Sequence, residues 1–150
     1  MAATLTSILV HITFSTKDRQ PTIPTDILPE LFAYAGGVCR DMRSSLLHAG
    51  GVEDHVHLLV SLGKTTAVAD LMMHVKRATS MWMKNQRPGL HTFAWQDGYF
   101  AFSIGHDAMD AVKAYLDGQR EHHARTDFKN EVLAFLAKYK VEYDPEHLWD

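Results

Sequence analysis

Apolar and polar positions along the chain fall into two periods, close to two residues where a strand is expected and three to four where a helix is. Leu5 to Phe14 is apolar and rich in Thr, Ile and Val, and the polar, proline-bearing stretch STKDRQPTIP follows it. This reads as a strand and then a loop. From Ile27 to Met42, Leu28, Leu31, Phe32, Ala35, Cys39 and Met42 keep helical spacing. That predicts an amphipathic helix with Thr25 or Asp26 as its cap. SSLLHAGGVEDHVHLLVSL holds two apolar runs parted by Gly50, Gly51, Glu53 and Asp54. It predicts two adjacent antiparallel strands, His55 opening the second.

A longer helix is expected from Thr66 to Lys84, with Val68, Leu71, Met72, Val75 and Trp82 inward and Lys76, Arg77 and Lys84 outward, ended by Pro88 and Gly89. The aromatic FAWQDGYFAFSIG predicts a fourth strand or a bent pair. One helix from Asp107 to His123 should place Ala108, Ala111, Val112, Tyr115 and Gln119 on a single stripe. A last helix is expected from Asp127 to Lys140, before an irregular tail, VEYDPEHLWD. The order strand, helix, strand, strand, helix, strand predicts an α+β, ferredoxin-like βαββαβ domain of the RRM-like kind. Its four-stranded antiparallel sheet should carry helices on one face, with an additional C-terminal helix. Such an architecture serves many functions and establishes none.

The 150 residues suit a single domain spanning positions 1–150. No apolar run approaches the roughly 20 residues that a membrane-spanning helix needs. The first residues have neither a basic leader nor a small-residue cleavage site, so a cytoplasmic location without membrane contact is expected. Cys39 is the single cysteine; it rules out an internal disulfide and a Cys/His zinc finger, and its apolar setting predicts a buried, inert thiol. The formal charge of −3 offers none of the basic excess common in nucleic-acid-binding domains. Local clusters such as Lys17/Arg19 and Lys76/Arg77 are nevertheless able to build one positive face.

The chemistry concentrates in DHVHLLV, residues 54–60. His55 and His57, one residue apart on a strand, point to the same side, where one metal can reach both neutral imidazoles. Barrel hydrolases that carry such a pair need roughly 250 residues, and the helical periodicity opposes an all-β metal barrel. Tyr115 and Gln119, four apart on a predicted helix, face one way at successive turns.

Together these segments resemble the single-tyrosine HUH transposases of insertion elements and their repeat-associated relatives. VHITFSTKDRQPTI is similar to that family's opening strand and basic loop, VEDHVHLLVSL to its HUH strand, FAWQDGYFAFSIG to its fourth-strand segment and YLDGQREHH to its nucleophile helix. The EYDPEHLWD ending is similar to a tail common among these proteins. The resemblance implies that His55 and His57 are metal ligands for Mg²⁺ or Mn²⁺, Tyr115 the nucleophile and Gln119 a third ligand or a metal-side contact. It implies a metal-dependent endonuclease and strand transferase that cuts single-stranded DNA, at hairpin-containing element ends, through a 5′-phosphotyrosine during DNA transposition. The alternative is a domesticated, non-cleaving nucleic-acid-binding protein of the same fold.

Lys17, Arg19, Lys76, Arg77 and Arg120 are the candidates to neutralise the DNA backbone, and Trp95, Tyr99 or Phe100 to stack on a base. His122 and His123 are placed to shuttle a proton or face phosphate. A homodimer is expected, built on HVHLLVSL and YFAFSIG strands continued across a two-fold axis. Gly118 departs from the polar residue usual in the family. The resemblance implies that the nucleophile helix can be held against the partner's His pair, so that Tyr115 acts in trans, and Gly105 and Gly118 fit a helix able to swing.

Overall fold

A computed structural model describes residues 2–150. Strands β1 (Leu9–Ser15), β2 (Ser45–Gly51), β3 (His55–Ser61) and β4 (Phe100–Ile104) form one antiparallel sheet in the order β2-β3-β1-β4. This is the ferredoxin-like order predicted from the sequence, with β1 and β3 central. Every residue of β1 is buried, because the strand is covered on both faces.

The alternation of β1 and β3 divides the core into two layers. Val10, Ile12, Phe14, Val56, Leu58 and Val60 point to one face. There they meet helices α1 (Leu28–Asp41) and α2 (Val68–Lys84). Leu28, Leu31, Ala35 and Cys39 are the buried stripe of α1, and Leu71, Met72, Val75, Thr79 and Met83 that of α2. Trp95 closes this layer edge-on to Phe14 and Phe93, its indole N–H donating to Thr79 Oγ1 at 3.0 Å. It is therefore core and not a base-stacking surface. Cys39 is fully buried, and burial pushes its thiol up to about 11, as an inert thiol requires.

Helices cover the second face as well, where the sequence led to helices on one face: it carries His11, His55 and His57 and lies under α3 (Met109–Asp117), α4 (Gln119–His123) and α5 (Phe128–Lys138). Phe102, Phe128, Val132 and Leu136 pack there as a smaller apolar cluster. Asp127 caps α5 by accepting from the Asn130 amide at 2.9 Å.

Three local expectations change, and the choice between a fourth strand and a bent pair is resolved. Thr25–Ile27 form a separate 3-10 turn, and α1 begins behind Ile27 with no side-chain cap. Asp26 instead pairs with Arg87. The expected helix from Asp107 to His123 breaks at Gly118, where α3 ends and α4 begins, because glycine weakens a helix interior. The aromatic segment gives one strand, β4, and an isolated bridge from Trp95 to Thr16. Finally, Lys76 is not a solvated outward residue: half-buried, it donates to the carbonyls of Gln96 and Gly98. Among the described residues, no helix is long and apolar enough to cross a membrane.

Candidate active site

The two histidines of β3 lie on the α3–α5 side of the sheet, as period-two geometry demands, with ring centroids 5.2 Å apart. Both are buried. In the strand register His57 faces Gly50 on β2 and Thr13 on β1. Because Gly50 has no side chain, α3 comes down onto the sheet beside His57. There the backbone of Leu116 occupies the space that a Cβ would take.

That docking sets the residue before Leu116 over the histidines. The Tyr115 ring stands perpendicular to His57, centroids 5.6 Å apart. One turn on, just past the helix break, Gln119 is buried with its Oε1 3.1 Å from His55 Nε2. Tyr115 and Gln119 thus stay on one face although they belong to two helices.

The final helix adds a group that sequence reasoning missed. Glu131, buried on α5, places Oε1 2.7 Å from His57 Nε2 and 3.4 Å from His55 Nε2. Its Oε2 accepts a hydrogen bond from the Tyr115 hydroxyl and lies 3.0 Å from His122 Nε2. The His122 contact is close without the alignment of a hydrogen bond. One carboxylate therefore touches both the histidine pair and the tyrosine. The only sequence signal was an acidic residue among the apolar positions Phe128, Val132 and Leu136 that the helix buries.

Behind the site, His55 Nδ1 is 2.7 Å from Asp54 Oδ1 and His57 Nδ1 is 2.8 Å from His11 Nε2. Both rings are thus anchored through Nδ1 and turn Nε2 toward Gln119 and Glu131. Burial opposes charge on His55, but the hydrogen bonds and charges of Asp54 and Glu131 outweigh it and push its pKa up to about 9. His57 is lowered, burial prevailing over Glu131. Glu131 is buried too, yet the hydrogen bonds from His55, His57 and Tyr115 hold its carboxyl well below the usual range. Burial raises the Tyr115 phenol, and the adjoining Glu131 raises it further.

Two imidazole nitrogens, an amide oxygen and a carboxylate oxygen converge here. The ligand atoms of His55, His57 and Glu131 all lie within 4.8 Å of one another. This mixed nitrogen and oxygen donor set fits a divalent cation. His123 lies behind it, Nδ1 4.0 Å from Asp54 Oδ1.

The cationic candidates scatter. Lys17 and Arg19 border a cavity of about 160 Å³ with Gln96, Asp97 and Trp149, and the Arg19 guanidinium sits 5.6 Å over the Trp149 ring. Arg120 is exposed directly after Gln119. Lys76 braces the 96–98 turn that lines that cavity. Arg77 lies on the opposite layer, in a groove between α1 and α2 with Tyr34 and Met81, and does not join the site.

The four-stranded βαββαβ sheet thus carries a His-x-His strand beneath a tyrosine-bearing helix. The model of the family "Transposase IS200 like" matches residues 4–119, and the chain belongs to that family. Two solved structures share the fold. One is a protein assigned as a transposase from Deinococcus radiodurans R1, with TM-score 0.61 and 16% identity over 79% of this chain and 95% of that one. The other is a REP-associated tyrosine transposase bound to a REP hairpin, with TM-score 0.61 and 14% identity over 82% of this chain and 72% of that one. No curated protein sequence matches the chain. Glu131 lies outside the residues matched to the family.

Proposed function

We propose that this transposase-family protein cuts and rejoins single-stranded DNA, with Tyr115 as nucleophile. The observation that carries the reading is the shared carboxylate: Glu131 contacts the histidine pair through one oxygen and the tyrosine hydroxyl through the other. His55, His57, Gln119 and Glu131 would hold a divalent cation, Mg²⁺ or Mn²⁺. When bound, such an ion supplies Lewis-acid polarisation of a phosphate oxygen and orientation of the scissile bond.

The chain's own groups do the rest. A phenol near pKa 10 is almost wholly protonated at neutral pH, and burial beside Glu131 protects that state further. Attack therefore requires a proton acceptor in contact, and Glu131 Oε2 is there, ionised. As the tyrosine oxygen bonds to phosphorus, its proton passes to Glu131. The bond from phosphorus to the 3′ oxygen breaks, leaving a 5′-phosphotyrosine and, once protonated, a free 3′-OH. The phosphodiester energy is conserved for rejoining. The contact of Tyr115 with Glu131 forms within one chain, which favours attack in cis over the expected exchange between subunits.

The hairpin in the REP-associated structure makes hairpin-bearing single strands the substrate to try. Lys17, Arg19 and Arg120 are the backbone contacts retained in this reading, with Lys76 supporting them from behind. A homodimer remains part of the proposal. Since β3 is central and β4 is an edge strand, the YFAFSIG strand, not HVHLLVSL, is the one able to continue the sheet.

The test is incubation with end-labelled hairpin DNA and Mn²⁺. A protein-linked label that survives denaturation and vanishes in Tyr115→Phe is expected. DNA binding without any adduct would replace this reading with the non-cleaving one.

A further inference from the structure

His11 is buried on β1 and lies diagonally across from His57 on the same face of the sheet. Its ring is enclosed edge-on by Phe135 at 5.1 Å, with Tyr115 at 6.3 Å and Phe102 at 6.4 Å. A polar ring in that apolar setting is costly unless paired, and its Nε2 is 2.8 Å from His57 Nδ1. We propose that His11 is the positioning residue of His57, a neutral imidazole that holds the ligand ring through Nδ1 and exchanges a proton with it when His57 passes between Glu131 and a cation. This rests on the metal reading of the site given above.

The two states follow from hydrogen-bond valence. Glu131 presents a carboxylate oxygen 2.7 Å from His57 Nε2, so without a cation His57 carries its proton on Nε2. His57 Nδ1 is then an acceptor, and His11 must donate from Nε2. For His57 Nε2 to act as a ligand its lone pair must be free, which puts the His57 proton on Nδ1. That N–H donates to His11 Nε2, and the His11 proton then resides on Nδ1.

The exchange balances. One proton leaves His57 Nε2, the shared one crosses from His11 to His57, and one is taken up at His11 Nδ1, so both rings end neutral. Phe135, Tyr115 and Phe102 enclose the His11 ring, and a charge buried among apolar rings is costly, so His11 is held in its neutral form. The partner of His55 is a fixed acceptor, the carboxylate of Asp54. Only the His57 side can reverse the direction of its hydrogen bond.

The test uses the full chain and two readouts besides cleavage. Mn²⁺ affinity, measured by electron paramagnetic resonance of the free ion, should fall about ten- to a hundredfold in His11→Phe, the range for lost supports of metal ligands. It should largely recover in His11→Gln, whose amide tip can present oxygen or nitrogen near the position of Nε2. Long-range ¹H–¹⁵N spectra of the wild type should show His11 and His57 both protonated on Nε2, and diamagnetic Zn²⁺ should move both to Nδ1 together. Wild-type affinity in His11→Phe, or a His57 that changes form while His11 does not, overturns the proposal. A wild type that binds neither ion strikes the metal reading instead. In that case a His11 without its Nε2 proton in the metal-free spectrum overturns the His11 assignment by itself.

Discussion

Gly50 and Leu116 are in contact across the β2–α3 interface, the Leu116 carbonyl filling the place of a side chain at Gly50, with Leu116 Cα only 3.2 Å from that point. Backbone fills the space, so no rotamer change can make room. Gly50→Ala must lift α3, and Tyr115 with it, off the strand position facing His57. We expect overpacking to cost about 1–3 kcal/mol in chemical denaturation, with adduct formation reduced at least about tenfold, since small misplacements of reacting groups are expensive. Unchanged adduct yield in a folded variant would show that α3 does not depend on this contact.

Glu131 is the side chain on which the proposed chemistry depends most. Glu131→Ala should slow adduct formation by roughly 10²–10⁴, the usual contribution of a positioned acid or base. Because the Glu131 hydrogen bond and charge both raise the Tyr115 phenol, its removal should bring the tyrosine titration down toward the ordinary value, leaving only the larger burial effect. Ultraviolet titration against Tyr115→Phe isolates that phenol. A titration that stays put or moves upward would show that the two groups are not coupled.

Opposite shifts on two histidines predict how stability varies with pH in protein freed of metal by a chelator. His11 is lowered to about 3, so below pH 6.5 the unfolded chain binds the extra proton, and stability is lost as pH falls toward 3. His55 is raised to about 9, so the folded chain holds the extra proton above 6.5, and stability is lost as pH rises through 9. Thermal melts should peak between these limits. His11→Gln should flatten the acid side and Asp54→Asn the alkaline side; the reverse pairing would refute the assignment.

The element order and the His pair were legible in the sequence because they rest on local periods. Strand alternation put His55 and His57 on one face, and the spacing of Leu28, Leu31, Ala35 and Cys39 marked α1. Tyr115 and Gln119 needed the family resemblance, since a tyrosine on an amphipathic helix looks like any core residue. The break at Gly118 was visible only as a glycine. His11 was not legible at all, and Glu131 only as an acidic residue among the inward positions of its helix. Glu131 is 74 positions from His57 and His11 is 46, and only the folded sheet brings them together. Lys76 misled for the same reason, because the carbonyls of Gln96 and Gly98 that bury its charge come from a distant turn.

Whether Tyr115 serves its own chain is decided by complementation. In the structure α3 rests on β2 of the same chain, and Tyr115 bonds to Glu131 of the same chain. The break at Gly118 does not by itself release α3, because Gln119 beyond it is tied to His55 as well. Moving the tyrosine to a partner would require giving up the Gly50 contact and the Glu131 hydrogen bond together. A chain with His57→Ala and a chain with Tyr115→Phe should therefore stay inactive when mixed, since each site lacks one essential group. The mixture must first be shown to form heterodimers by tagged co-purification. If the protein sediments as a monomer and still forms adduct, cis attack follows directly. Recovered cleavage in the heterodimer would instead mean that Tyr115 crosses to the partner, and that the contact with Glu131 belongs to a resting arrangement of the site.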